Sequence, residues 1–144
     1  MQMKKKILAV DDNPNNNAIV EELFGDRYDL RTATTGEEAL QIAQDFQPDL
    51  ILLDIMMPNM NGYEVCRRLR EYPSLSETKI IMVTAKGGLE DKIAGYEVGA
   101  NDYITKPFDL EELKLTLRRA AERNFLLSEA SQKEYYRELS IVDG

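Results

Sequence analysis

What most constrains the fold of this chain is a recurrence of pattern rather than of residues. A short apolar run, a polar or acidic break and a stretch of helical periodicity follow one another five times. The apolar runs begin near Ile7, Tyr28, Leu50, Ile80 and Tyr103, which lie 21, 22, 30 and 23 residues apart. Each interval leaves room for a crossover helix, so the strands are expected to be parallel, with right-handed connections and helices on both faces. The spacing predicts strands over 6–10, 28–33, 50–54, 80–84 and 103–105, with helices from Pro14, over 36–46, 63–70 and 89–98, and from Leu110 onward. Ala18, Ile19, Leu23 and Phe24 are expected on the inner face of the first helix, and Ala39, Leu40, Ile42 and Ala43 on that of the second. Thr34 or Thr35 can cap the second helix, Asp109 precedes the fifth, and Gly99 follows Val98 as a stop. A closed α/β barrel needs eight such units. Five make an open, doubly wound α/β sheet.

The third run is the most informative. Leu50 to Leu53 are apolar without helical periodicity, as suits a strand buried on both faces of a parallel sheet, and Asp54 ends them ahead of Pro58 and Gly62. An acid there either caps the following helix or opens into the loop zone where open α/β sheets keep their chemistry. The stretch alone allows both.

Composition narrows the chemistry. Across 144 residues, 43% apolar composition predicts one domain with a real core, and the net charge of -8 opposes binding to nucleic acid phosphates. No apolar run reaches the length of a membrane span and no signal-peptide core follows the start, so a cytoplasmic location off the membrane is expected. The lone Cys66 stands among apolar residues at helical spacing and reads as a buried core thiol. With no histidine in the chain, a Ser-His-Asp triad, a Cys-His pair and an ordinary zinc site are all excluded. Chemistry must run on carboxylates, lysines and hydroxyls.

If the first and third strands are neighbours at the switch point, Asp11, Asp12 and Asp54 converge on one edge of the sheet. Crowded carboxylates repel unless a cation neutralises them, and an oxygen-only set with room for water suits Mg²⁺. Taken alone, Asp11 and Asp12 also read as solvated surface acids. The fourth strand ends in Thr84-Ala85 and the fifth in Thr105-Lys106-Pro107-Phe108, aimed at the same edge. Thr84 as strand filler and Lys106 as a surface lysine are the bland readings of each. Together, acids, a hydroxyl and a lysine make a site able to stabilise a phosphoryl group.

These residues, in this order and spacing, resemble the receiver domain of two-component response regulators. The resemblance covers 5–122 and leaves 123–144 as a helical linker toward a missing output domain. It implies a flavodoxin-like sheet of order 2-1-3-4-5 with an extended C-terminal helix. It also implies that Asp54 is the phosphoacceptor and that Asp11, Asp12, Asp54 and the Met56 backbone carbonyl hold Mg²⁺. Lys106 would contact the phosphoryl oxygens, Thr84 and Tyr103 would act as the switch pair, and the Lys106–Pro107 bond would be cis. The implied donor is a partner histidine kinase or phosphotransfer protein, since the chain has no histidine of its own. Met56 and Lys86 would flank the path of hydrolytic water, and a thioether positions water poorly, so slow self-dephosphorylation is expected. Apart from this self-catalysed chemistry, the domain is expected to signal rather than to act as an enzyme, as a homodimer through its fourth helix, fifth strand, fifth helix and C-terminal helix.

Three other readings compete. A flavodoxin-like FMN carrier wants a Ser/Thr/Gly-rich phosphate loop after the first strand, where this chain has Asp-Asp-Asn-Pro. An aspartate-nucleophile phosphatase wants a second acid two residues after Asp54, where Met56 stands. An unphosphorylated interaction module has no need of the intact site. Beyond the sheet, Ala121, Phe125, Ser128, Gln132, Tyr135, Leu139 and Val142 follow an approximate heptad, which fits either a coiled-coil linker or a long last helix packed on its own domain. The final Glu-Leu-Ser-Ile-Val-Asp-Gly resembles the start of a diguanylate cyclase domain.

Overall fold

The computed structural model of the chain describes residues 4–85, 88–106 and 110–126, and the side chains of these except at 110 and 120–126. Lys86, Pro107, Phe108, Asp109 and the chain after 126 lie outside the described residues. So do the expectations placed on them: the Lys86 flank, the cis bond, the Asp109 cap and the heptad linker.

Five strands form one parallel sheet, β1 (Lys6–Val10), β2 (Asp29–Ala33), β3 (Leu50–Asp54), β4 (Lys79–Thr84) and β5 (Asp102–Thr105), in the order β2-β1-β3-β4-β5. The helices between them are α1 (Pro14–Phe24), α2 (Gly36–Phe46), α3 (Gly62–Arg70) and α4 (Leu89–Glu97), with α5 (Leu110–Leu126) last. Contacts divide the chain into two compact units, 1–108 and 109–144. The first holds the sheet and α1 to α4. The second carries α5, on which Leu113, Thr116 and Leu117 are buried.

Every residue of β3 is buried, as the unbroken apolar run requires of a central strand in a parallel sheet. Alternate residues serve the two faces. Leu8, Val10, Ile51, Leu53, Ile80 and Met82 join α2 and α3 side chains in one core cluster, among them Ala39, Ala43, Val65, Cys66 and Leu69. Ile7, Ala9, Leu50, Leu52 and Ile81 belong to the other face, and α1 packs along β1 and β2. Cys66 is fully buried and its thiol is pushed up to about 11 by that burial, as expected of a core cysteine.

α2 begins as the sequence suggested. Thr35 is the cap: its hydroxyl accepts from Glu38 N–H, and the Glu38 carboxylate accepts from Thr34 N–H, a reciprocal capping box. Gly99, with φ +107, turns the chain out of α4.

α1 differs from the expectation. Its buried residues are Asn17, Val20 and Phe24, while Ile19 and Leu23 are 53% and 41% exposed. The physical reason is Asn17, whose side-chain amide donates to the carbonyls of Asp11 and Ala33 at 3.1 and 3.0 Å. Ala33 O accepts from Asp11 N–H as well, so Asn17 ties α1 to the ends of β1 and β2, and with this polar residue inward the apolar pair faces outward.

The long interval before β4 contains a short 3₁₀ turn, Pro73–Leu75, and it is closed by Arg70. The Arg70 guanidinium donates to the carbonyls of Leu75, Thr78 and Gly99 and to the Asn101 side chain, at 2.8–3.0 Å. Asn101 in turn accepts from Ile80 N–H at 2.8 Å, and Thr78 Oγ1 donates to the Pro48 carbonyl at 3.0 Å. This end of the sheet is stitched by hydrogen bonds to backbone.

Candidate functional site

The opposite, C-terminal end of the strands carries the predicted site residues. The register pairs Val10 with Leu53, so the chains leave the sheet side by side and Asp11 and Asp54 follow as next neighbours. Carboxylate oxygens of Asp11, Asp12 and Asp54 all lie within 4.8 Å of one another. Asp11 and Asp54 are buried, and Asp12 is exposed.

Asp11 is oriented by its own loop. Its carboxylate accepts from Asn13 N–H at 2.9 Å and from the Asn16 side chain at 3.0 Å. Asn17 holds its carbonyl from below. Sequence reasoning missed these asparagines as site-building residues, although Asn13 and the run Asn15-Asn16-Asn17 just beyond an acidic pair were a signal for them.

Lys106 reaches the same cleft from the end of β5. Its ammonium lies 3.1 Å from Asp11 Oδ2 and 3.7 Å from Asp54 Oδ1. Its backbone N–H donates to the Thr84 carbonyl at 2.6 Å, which binds the ends of β4 and β5 together. Thr84 itself is buried at the end of β4. The structure thus brings Asp11, Asp12, Asp54 and Lys106 into one cleft, with Thr84 ending β4 and Tyr103 in the neighbouring β5.

Asp54 sits in a conflicted environment. Burial raises its pKa to about 6 despite the opposing pull of Lys106; Asp11 and Asp12 raise it further, and the Met56 N–H, 3.4 Å from Oδ1, lowers it. Three acids and one lysine leave the cleft short of positive charge. An all-oxygen donor set with that deficit fits a hard divalent cation such as Mg²⁺.

Gly62 explains how α3 comes so close to the nucleophile candidate. A Cβ there would stand 2.6 Å from the Asp54 carbonyl oxygen and 2.7 Å from Ile55 Cα, so only glycine fits. The loop between them buries Ile55, Met57 and Met60 and leaves the Met56 side chain 56% exposed beside the cleft.

Comparisons with known proteins agree with this geometry. The family described as response regulator receiver domain matches residues 7–118. The transcriptional regulator RpaA of Synechocystis is 38% identical over 130 residues, which cover 88% of this chain and 53% of that protein. The response regulator PleD of Caulobacter vibrioides is 37% identical over 144 residues, covering 99% of this chain and 32% of that one. The chain thus spans about half the length, or less, of these curated relatives. Among solved structures, the chemotaxis protein CheY4 of Vibrio cholerae is 38% identical, covers 83% of this chain and 99% of its own, and superposes with a TM-score of 0.78.

Proposed function

Since the chain belongs to the response regulator receiver domain family, we propose that it takes a phosphoryl group from a partner histidine kinase or phosphotransfer protein onto Asp54, in a Mg²⁺-dependent reaction that switches a downstream output. The observation that carries this reading is the cleft itself: a buried carboxylate with a lysine ammonium 3.7 Å from one oxygen and two further acids within 4.8 Å.

In the proposed step an Asp54 carboxylate oxygen attacks the phosphorus of a phosphoimidazole. The P–O bond forms as the P–N bond breaks, and the imidazole nitrogen leaves with the bonding pair and takes up a proton from water. Asp11, Asp12, Asp54 and the Met56 carbonyl would hold the cation. Bound Mg²⁺ would supply positive charge for the phosphoryl oxygens as charge builds on them. Lys106, already between Asp11 and Asp54, would transfer its ion pairing to a phosphoryl oxygen. Thr84 would donate to another, and Tyr103 would follow. The acyl phosphate would return to carboxylate and inorganic phosphate by attack of water on phosphorus.

The Met56 thioether is a weak acceptor and gives that water no strong partner. Label on Asp54 is therefore expected to persist for minutes rather than seconds.

Exposed Leu89, Ile93 and Tyr96 on α4 support a homodimer in which α4, β5, α5 and the C-terminal helix take part. Among the described residues no helix is long and apolar enough to cross a membrane. The output remains a proposal drawn from the final residues, a diguanylate cyclase domain beyond residue 144.

The test is incubation with a radiolabelled small-molecule phosphodonor. Wild-type protein should label only with Mg²⁺ present and Asp54→Asn not at all. Equal labelling of the two would overturn the assignment.

A further inference from the structure

Asp11 is the acid of the cleft with the most hydrogen-bond donors around it, and those donors differ in kind. Oδ1 accepts from the Asn13 N–H at 2.9 Å. Oδ2 accepts from two groups at once, the Asn16 side-chain amide at 3.0 Å and the Lys106 ammonium at 3.1 Å. Asn16 is half-buried, the third residue of α1, and the next residue, Asn17, spends its own amide on the Asp11 and Ala33 carbonyls. Consecutive asparagines in one helical turn thus hold both the carboxylate and the backbone oxygen of Asp11.

That turn is itself fixed. Asn13 Oδ1 accepts from Asn15 N–H at 3.0 Å, and the Asn13 carbonyl accepts from Asn16 N–H at 3.0 Å, so Asn16 stands on a capped helix start. Lys106 instead carries its charge on a flexible four-carbon stem, and it also lies 3.7 Å from Asp54 Oδ1. Of the two donors on Oδ2, one is anchored and the other can move.

The proposed chemistry makes that difference matter. When Lys106 turns to a phosphoryl oxygen, Oδ2 loses its charged partner. A carboxylate has about four acceptor positions, so with Asn13 and Asn16 in place Asp11 keeps its orientation and still has room for a cation. A neutral amide also orients Asp11 without cancelling its charge, which a basic side chain in its place would do.

We propose that Asn16 is a positioning residue for Asp11: it holds the carboxylate through Oδ2 when Lys106 leaves, so that Asp11 stays aimed into the cleft as the phosphoryl group arrives. This rests on the phosphoacceptor reading above and adds to it the group that uncouples Asp11 from Lys106.

Calorimetric titration of the full chain with Mg²⁺, and then with beryllofluoride in its presence, tests the proposal alongside phosphodonor labelling. Asn16→Leu keeps the branched shape without the donor. At rest Lys106 still holds Oδ2, so Mg²⁺ affinity should fall less than about threefold, whereas beryllofluoride affinity should fall on the order of tenfold, the worth of one hydrogen bond to a charged group. In a Lys106→Ala background Asn16 is the remaining donor on Oδ2 among the described residues. There the same substitution should cost Mg²⁺ affinity on the order of tenfold already at rest, a non-additivity that a purely structural role would not produce. Asn16→Gln, which keeps an amide, should recover most of the lost beryllofluoride affinity. Equal beryllofluoride affinity in Asn16→Leu and wild type, additive effects of the two substitutions, or a loss in Asn16→Gln as large as in Asn16→Leu would overturn the role of Asn16 alone. Wild type that takes no label would overturn the phosphoacceptor reading itself, and the two failures are distinct.

Discussion

The two ends of the sheet handle polar groups in opposite ways. At the N-terminal end Lys6, Asp49 and Arg70 spend their charges mainly on backbone. Asp49 accepts from Lys6 N–H at 2.9 Å, and Arg70 serves the carbonyls of Leu75, Ser76, Thr78 and Gly99 and the Asn101 side chain. At the C-terminal end, buried Asp11 and Asp54 and exposed Asp12 face one lysine, and Asp54 is left with a pKa of about 6 by its burial. Among the described residues no buried side-chain nitrogen or oxygen lacks a partner, so the contrast lies in charge and not in missing hydrogen bonds. One end is finished as a structure. The other is left with unbalanced negative charge.

Substitutions can break this contrast from either side. Arg70→Ala should have the largest effect, a loss of about 3 kcal/mol in urea unfolding, because several carbonyls lose a charged donor at once. Labelling of Asp54 in the folded fraction should be unchanged; parallel loss of labelling would mean that the ends are not independent. At the acidic end, Mg²⁺ at a hundredfold above its dissociation constant should stabilise wild type by about 2.7 kcal/mol, and Asp12→Asn should need several-fold more metal for the same effect. Without metal, Asp54→Asn should raise stability at pH 7.5 by about 1 to 2 kcal/mol, since it removes a charge that burial and two acids disfavour. A destabilised variant would show that Lys106 already neutralises the cleft.

The smallest effect is the pH dependence, and its sign is fixed by the direction of the Asp54 shift. Its folded pKa, about 6, stands above the ordinary 3.8, so the folded state holds that proton more tightly. The stability this confers is fully present below about pH 4 and lost as pH rises through about 6. Metal-free wild type should therefore lose ground to Asp54→Asn over that window, as thermal melts of the two would reveal. Mg²⁺ should flatten the difference by favouring the carboxylate.

This contrast also decides what could be read from sequence. The strands were legible because burial on both faces writes itself as apolar runs such as 50–53, and the strand order places their ends as expected. Asp11, Asp12, Asp54 and Lys106 were legible only together: each alone reads as a cap or a surface charge, and it is their meeting at one edge of the sheet that singles them out. The stitched end was not. Arg70 lies in the last turn of α3, where any arginine suits the helix dipole, and nothing in its identity announces those acceptors. Asn17 failed for a related reason: a polar residue on the inner face of α1 contradicts the apolar pattern until the carbonyls of Asp11 and Ala33 are seen beneath it. The 3₁₀ turn at Pro73–Leu75 likewise depends on a loop that Arg70 closes. Tyr63 read only as the start of a helix; it packs against the core cluster, and its hydroxyl donates to the Asp91 carbonyl.

The pairing of Val10 with Leu53 carries one more consequence. Side chains alternate faces along a strand, so a slip of β1 against β3 by a single residue would set Asp11 and Asp54 on opposite sides of the sheet. The acidic cluster would then not exist. Under the proposed Mg²⁺ binding, metal affinity would be an alignment gauge, sensitive to one-residue errors that helix content would not register, and a simple Mg²⁺ titration would distinguish a correctly threaded molecule from a compact misfolded one.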